Sequence, residues 1–214
     1  MNQVANLAGQ PASAIKVLLF DIGGVVLSNG WDQGARRRAC EHFDLDGADF
    51  EDRHDFVSGD FEIGKLTLSQ YLRRTIFYRE RPFSEDAFFD FMKEQSVPLS
   101  ETLDLLGELS ASGRYVLATL NNESRELNDY RIDRFELRDH FSIFLSSCYV
   151  GVKKPDQDIY RLAVDLTQHA PNECVFIDDR ELNLECANRA GIQSIHFKDA
   201  AQLRADLDDL GVSL

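Results

Sequence analysis

"FDIGGVVLSNGWD", residues 20 to 32, carries the end of an apolar run into a carboxylate, two glycines and a polar loop. An uncompensated charge at the end of a buried strand is costly, so Asp21 needs a partner or a task at that position. A nucleophile or a metal ligand aimed out of the strand end would meet that need. Gly23 and Gly24 would let the backbone come close to a bound anion.

Outward from this stretch, short apolar runs of strand length recur: KVLLF (16–20), YVLAT (115–119), IFLSS (143–147), CVFID (174–178) and QSIHF (193–197). None alternates with polar residues, which is the pattern of strands covered on both faces in a parallel sheet. Apolar spacing of three and four predicts helices near 100–112, 123–137, 156–169, 180–190 and 199–211. Strand alternating with helix is the signature of an α/β, doubly wound parallel sheet. The gap between the first two strand runs reads differently: amphipathic helices near 32–43, 48–58, 67–79 and 84–95, with Ser84 placed to cap the last. In an open α/β sheet ligands bind beyond the carboxyl ends of the strands. A helical insert leaving the first strand there is therefore expected to cover the site. The expected division is a polar N-terminal tail over 1–13, a Rossmann-like core over 14–29 and 98–214, and a helical cap over 30–97.

At 214 residues and 43% hydrophobic, the chain is long enough to bury a substantial core. Its net charge of −14 and pI near 4.7 argue against nucleic acid or an anionic membrane as partner, since both require a basic footprint. The run around residues 15 to 27 is broken by Lys16 and Asp21 and is too short to span a bilayer. Cys40, Cys148, Cys174 and Cys186 have neither disulfide-framework nor zinc spacing, which suits a reducing, cytoplasmic setting.

Several strand ends carry chemistry. Asp21 follows the first strand, Asn121 and Asn122 the second, and Asp178 and Asp179 end the fourth, while Lys154 in KKPD precedes the helix after the third. In a parallel sheet all of these project from one edge. Together they provide carboxylates for Mg²⁺, a lysine and amide donors for phosphate oxygens, and a carboxylate able to attack phosphorus.

In their order and spacing, FDIGGVV, LNN, KKPD with IY, and FIDDRELNLECANRAGI (176–192) resemble the four motifs of the haloacid dehalogenase-like hydrolases, most of them phosphatases. The resemblance covers nearly the whole chain beyond the tail, cap included. It implies that Asp21 is the nucleophile and a Mg²⁺ ligand, with the Gly23 carbonyl as a further ligand. Asp178 would bind the metal directly and Asp179 through water. Lys154 would neutralise charge between nucleophile and phosphate, and Asn121, Asn122 and Gly24 would bind the phosphoryl group. The implied partner is a small phosphorylated metabolite.

Two positions depart from the family pattern. Asn121 stands where Ser or Thr is usual, and Gly23 stands where phosphatases carry a second aspartate as general acid and base, a function worth about 10²–10⁴ in rate. Resembling members with glycine there hydrolyse sugar 1-phosphates, whose anomeric oxygen leaves as a comparatively stable anion; acyl phosphates share that property. Asp32 and His54 are candidate substitute donors. The alternatives are a binding or regulatory protein that kept Asp21 and metal affinity without turnover, and a 2-haloacid dehalogenase, which would leave the Asp178/Asp179 pair without a purpose.

Bland readings stand beside these. Asp179, Asn121 and Asn122 have helix-capping roles available, and Pro155 fits a first helical turn with Lys154 solvated ahead of it. Arg36–Arg38 reads as a solvated face and the phenylalanines of FSEDAFFDFM (83–92) as cap core. Trp31 reads equally as a packing anchor or as a wall over the ligand.

Overall fold

A computed structural model describes residues 14–213. Five parallel strands, β1 (Val17–Phe20), β2 (Val116–Asn121), β3 (Ile143–Ser146), β4 (Cys174–Asp178) and β5 (Gln193–His196), form one sheet in the order β3-β2-β1-β4-β5. The chain runs outward from β1 through β2 to β3, then crosses to β4 on the other side of β1. The switch point of the sheet therefore lies between β1 and β4, where Asp21 and Asp178 emerge.

The unalternated strands are explained by their packing. Along β1, Val17 and Leu19 point into one apolar layer with Phe176, Ile159 and Ala187, while Leu18 and Phe20 point into the other with Leu106, Ile177 and Leu203. Both faces of the strand are dry, so every position is apolar. The layers are supplied by α5 (Ser100–Ser112), α6 (Arg125–Arg134), α8 (Gln157–Thr167), α9 (Glu181–Arg189) and α10 (Ala200–Asp209). Among the α-helices the sequence reading missed the single-turn α7 (Ser147–Val150) directly after β3; it is too short to show a periodicity.

Between β1 and α5 lie four helices: α1 (Gln33–Phe43), α2 (Gly47–Glu62), α3 (Leu68–Thr75) and α4 (Glu85–Glu94). Each starts on a side chain that accepts from the first-turn amides: Asp32, Asp46, Thr67 and Ser84, with Gln70 completing a capping box on α3. These helices have their own apolar cluster, which holds Phe50, Tyr71, Phe88 and Met92, with Phe83, Phe89 and Phe91 packed around it. Two linkers cross between this cluster and the sheet, and they are tied to one another. Ser28 N donates to Val97 O at 2.7 Å, Ser28 Oγ to Gln95 O at 2.8 Å, and Leu99 N to Val26 O at 3.0 Å.

The expected tail over 1–13 lies outside the described residues. The four cysteines carry free thiols. No helix among the described residues is long and apolar enough to cross a membrane.

Candidate active site

Asp21 leaves β1 with its backbone N–H still bonded to Ile177 O, at 2.9 Å. Its side chain is held in place by the Ile22 amide, which donates to Oδ1 at 2.8 Å. Lys154 Nζ lies 3.0 Å from the same oxygen and 2.6 Å from Asp178 Oδ2. The lysine is 4% exposed, so it is no solvated residue ahead of a helix. Pro155 does not open that helix either, since α8 begins at Gln157. Lys154 is anchored through its backbone: Asn122 Oδ1 accepts from Lys154 N at 2.9 Å and Asn122 Nδ2 donates to Lys154 O at 2.8 Å.

One oxygen from each of Asp21, Asp178 and Asp179 lies within 4.8 Å of the others. Three carboxylates so close, with one ammonium, leave excess negative charge in a low-dielectric place. Burial pushes the Asp21 carboxyl up to about 6, with Asp178's charge adding to the rise and Lys154 opposing it. Burial and the charge of Asp178 also raise Asp179. Hard oxygen donors in this arrangement suit a divalent cation.

The two acidic residues at the end of β4 are not equivalent. Asp178 is fully buried and saturated: Arg180 N and Asn183 Nδ2 donate to Oδ1, and Asn183 Nδ2 and Lys154 Nζ to Oδ2. Asp179 Oδ1 is buried with no hydrogen-bond partner among the described residues. Asp179 thus offers an unengaged oxygen and Asp178 holds Lys154, and an oxygen of each stays within reach of a cation shared with Asp21. Neither residue caps α9, whose N-cap is Arg180.

Three residues expected to bind phosphate already make hydrogen bonds within the described residues. Asn121, 2% exposed, donates through Nδ2 to Asn128 Oδ1 and accepts from Ser146 Oγ. Its amide is spent inside the core. Asn122 lines the site, but both ends of its amide are committed to the Lys154 backbone. Gly24 N donates to Leu27 O at 2.7 Å. What Gly24 provides is room: at φ +81° it lies so close to Asp179 that a Cβ would stand 2.4 Å from the carboxylate.

These residues open into a cavity of about 320 Å³ bounded by both parts of the chain. Asp21, Gly23, Lys154 and Asn183 form the sheet side, and Trp31, Arg36, His54 and Phe61 come from the helical side. Arg36 is therefore not solvated: it lines the cavity while its guanidinium makes two bonds to Glu51. Arg37 and Arg38 are exposed, as expected. Trp31 is both wall and anchor, with its ring packed edge-on against Phe88 at 5.7 Å. Of the two substitute donors, Asp32 lines the cavity with Oδ1 occupied in capping α1, and His54 lines it from α2.

A buried pair that sequence reasoning missed sits at the same place. Glu123 Oε2 accepts from Arg131 Nη1 at 3.1 Å, and Arg131 also donates to Ser28 O and Ser96 Oγ, one in each linker. Asn183 was missed too, although its position five residues after Asp178, on the first turn of α9, is a spacing that turns a side chain back to the strand end.

The sheet, the inserted helices and the acidic strand ends agree with a protein-family model that matches residues 15–191, that of haloacid dehalogenase-like hydrolases. The chain belongs to this family. It is 31% identical over 166 residues to flavin mononucleotide hydrolase 1 of Arabidopsis thaliana, covering 77% of this chain and 66% of the relative. It is 24% identical to D-ribitol-5-phosphate phosphatase of Bacteroides thetaiotaomicron over 90% of this chain and 97% of that one. The chain thus spans just under two thirds of the plant relative, and 40% of the porcine bifunctional epoxide hydrolase 2 that it also resembles. Among solved structures, a family enzyme of Bacteroides thetaiotaomicron in complex with magnesium and inorganic phosphate superposes with a TM-score of 0.73. At 22% identity over 87% of this chain and 96% of that one, the likeness shows a shared fold.

Proposed function

We propose that the chain is a Mg²⁺-dependent phosphohydrolase of a small phosphorylated metabolite, working through an aspartyl-phosphate on Asp21, with helices α1–α4 acting as its cap. The carrying observation is the placement of Asp21: a buried carboxylate at the switch point, fixed by the Ile22 amide and Lys154, lining a polar cavity.

An oxygen of Asp21 attacks phosphorus as the ester P–O bond breaks, the alcohol leaving with the bonding pair and acquiring a proton. Water then attacks the phosphorus of the aspartyl-phosphate, which releases inorganic phosphate and restores the carboxylate. Lys154, oriented by Asp178 and Asn122, offsets charge on the transferring group. Asp21, Asp178, Asp179 and the Gly23 carbonyl would hold Mg²⁺, which would supply Lewis-acid stabilisation of the phosphoryl oxygens. The orphaned, buried Asp179 Oδ1 supports that ligand set. Arg180 lines the cavity and makes no ion pair among the described residues, giving an anionic substrate a local cation on an acidic protein.

Gly23 puts no carboxylate beside the leaving group. The substrates that suit it have a leaving oxygen that needs little protonation, such as a sugar 1-phosphate or an acyl phosphate. Gly23 also favours a second reading, a phosphate-binding protein without turnover. Phosphate release from glucose 1-phosphate, an acyl phosphate, glucose 6-phosphate and an aryl phosphate, with and without Mg²⁺, decides between them. Metal-dependent release that Asp21→Asn abolishes, with the fold intact by circular dichroism, is the expected result. Inert substrates with retained binding of Mg²⁺ and a phosphate mimic would establish the second reading.

A further inference from the structure

The helical wall of the cavity contains a hydrogen-bond relay whose direction is fixed by chemistry. Trp31 Nε1 lies 2.9 Å from Tyr71 Oη, and Tyr71 Oη lies 2.9 Å from His54 Nδ1. An indole N–H only donates, so Tyr71 Oη accepts from Trp31. The phenol is fully buried, stacked on Phe61 with ring centroids 4.2 Å apart, and its own hydrogen must be used. Of the two groups that lie 2.9 Å from Tyr71 Oη, only His54 Nδ1 can accept it. A neutral imidazole that accepts at Nδ1 carries its hydrogen on Nε2.

Burial, reinforced by the positive charge of Arg36, pushes the His54 imidazolium down to about 4. The ring is thus neutral at pH 7. Its Nε2 makes no hydrogen bond within the described residues, although the side chain lines the cavity and is 9% exposed. A relay spanning Trp31, α3 and α2 therefore ends in one directed, unengaged N–H. Phosphate belongs at the opposite, sheet side with Asp21 and Lys154, so this N–H faces the organic part of a substrate.

We propose that His54 is a specificity-determining donor, held as the Nε2–H tautomer by Trp31 and Tyr71, which takes a hydroxyl, ring or ester oxygen of the alcohol portion of a polyol or sugar phosphate. The inference rests on the phosphohydrolase reading and adds a substrate class to it. A neutral imidazole of this tautomer cannot accept at Nε2, so His54 reads an oxygen and does not act as the general base.

The test compares a sugar phosphate and a polyol phosphate with an aryl phosphate lacking such oxygens, using the unsubstituted enzyme, His54→Phe and His54→Gln. A lost donor to a bound oxygen costs about 10- to 100-fold in kcat/KM. His54→Phe should lose that much on the hydroxylated substrates and less than about twofold on the aryl phosphate. His54→Gln, whose amide nitrogen reaches the place of Nε2, should restore most of it. Equal effects on both substrate types would overturn the proposal while leaving the hydrolase intact. No turnover by the unsubstituted enzyme would instead remove the hydrolase reading and this one with it. Nitrogen-15 NMR of the imidazole provides a readout apart from activity: the Nε2–H tautomer is expected, with the preference weakened by Tyr71→Phe, and an Nδ1–H tautomer would overturn the proposal whatever the kinetics.

Discussion

The ammonium of Lys154 lies 2.6 Å from Asp178 Oδ2, both side chains all but sealed from solvent, and the same nitrogen reaches Asp21 Oδ1 at 3.0 Å. One cation thus serves two carboxylates on neighbouring strands, and the third carboxylate, Asp179, is left with an oxygen that nothing in the described chain satisfies. With three carboxylates against one ammonium, the site is built two positive charges short.

Removing the cation should expose that shortage. Lys154→Met leaves Asp21 and Asp178 buried without their partner, a change that typically costs about 3–5 kcal/mol. Urea unfolding of the metal-free variant should show a loss of that order, partly recovered on adding Mg²⁺ because the added cation occupies the same acidic cluster. A variant as stable as the parent without metal would contradict the arrangement.

Asp21 gives a pH dependence with a definite sign. Its carboxyl titrates at about 6 in the folded chain against an ordinary 3.8. Between those values the folded state keeps a proton that the unfolded state has released, so this group's contribution to stability falls as pH rises from about 4 through about 6. The displacement corresponds to about 3 kcal/mol at most. Mg²⁺ needs the ionised carboxylate, so its affinity should fall about tenfold per pH unit below 6. Calorimetric titration with Mg²⁺ at pH 5 and pH 7 measures this, and Asp21→Asn should flatten the dependence. An equally steep slope in that variant would assign the proton elsewhere.

Gly23 and Gly24 should respond very differently to alanine. At Gly24 the backbone is left-handed and the added Cβ meets Asp179 Oδ2 at 2.4 Å, so Gly24→Ala combines backbone strain of about 1–3 kcal/mol with displacement of the carboxylate. At Gly23 the nearest atom to a new Cβ is Asn29 Oδ1, at 3.2 Å. Gly23→Ala should therefore leave Mg²⁺ binding nearly intact while Gly24→Ala weakens it, a contrast that isothermal titration of the two variants reads directly. Equal loss in both would mean that Asp179 is not the group that Gly24 accommodates.

What was legible in the sequence was what depends on local periodicity or on strand ends. The apolar runs place β1 to β5, most plainly β1 and β4, which are buried along their whole length, and the expected helices appear where the spacing of three and four puts them. Asp21, Lys154 and the Asp178/Asp179 pair could be brought to one sheet edge by topology alone. Which of the two β4 carboxylates is saturated could not, because that is decided by Asn183 and by a lysine that arrives from another strand's loop. Asn121 looked available for the same reason: nothing in a string of residues shows that Ser146 and Asn128 already occupy its amide. The Trp31–Tyr71–His54 relay joins residues of a linker and two different helices, and so left no spacing to read.

The Glu123–Arg131 pair makes the last prediction, because it joins the site to both linkers. Arg131 donates to Ser28 O at 2.6 Å and Ser96 Oγ at 3.0 Å while pairing with Glu123. Gly30 leaves it room, since a Cβ there would stand 2.7 Å from Nη2. Burial raises the Glu123 carboxyl, against the opposing charge of Arg131, so the acid depends on the guanidinium for its ionised state. Arg131→Met should then cost about 3–5 kcal/mol, through the stranded carboxylate and the freed linker groups together. Adding Glu123→Gln should recover part of that loss, since a neutral amide no longer needs the cation. The recovered part measures the charge and the remainder measures the linkers. Hydrogen exchange locates the remainder: amides of residues 28–31 and 95–97 should exchange faster in both variants, while those of β1 and β4 keep their protection relative to global stability. Unchanged exchange in the linkers would confine Arg131 to balancing Glu123 and would separate the cavity from the two linkers.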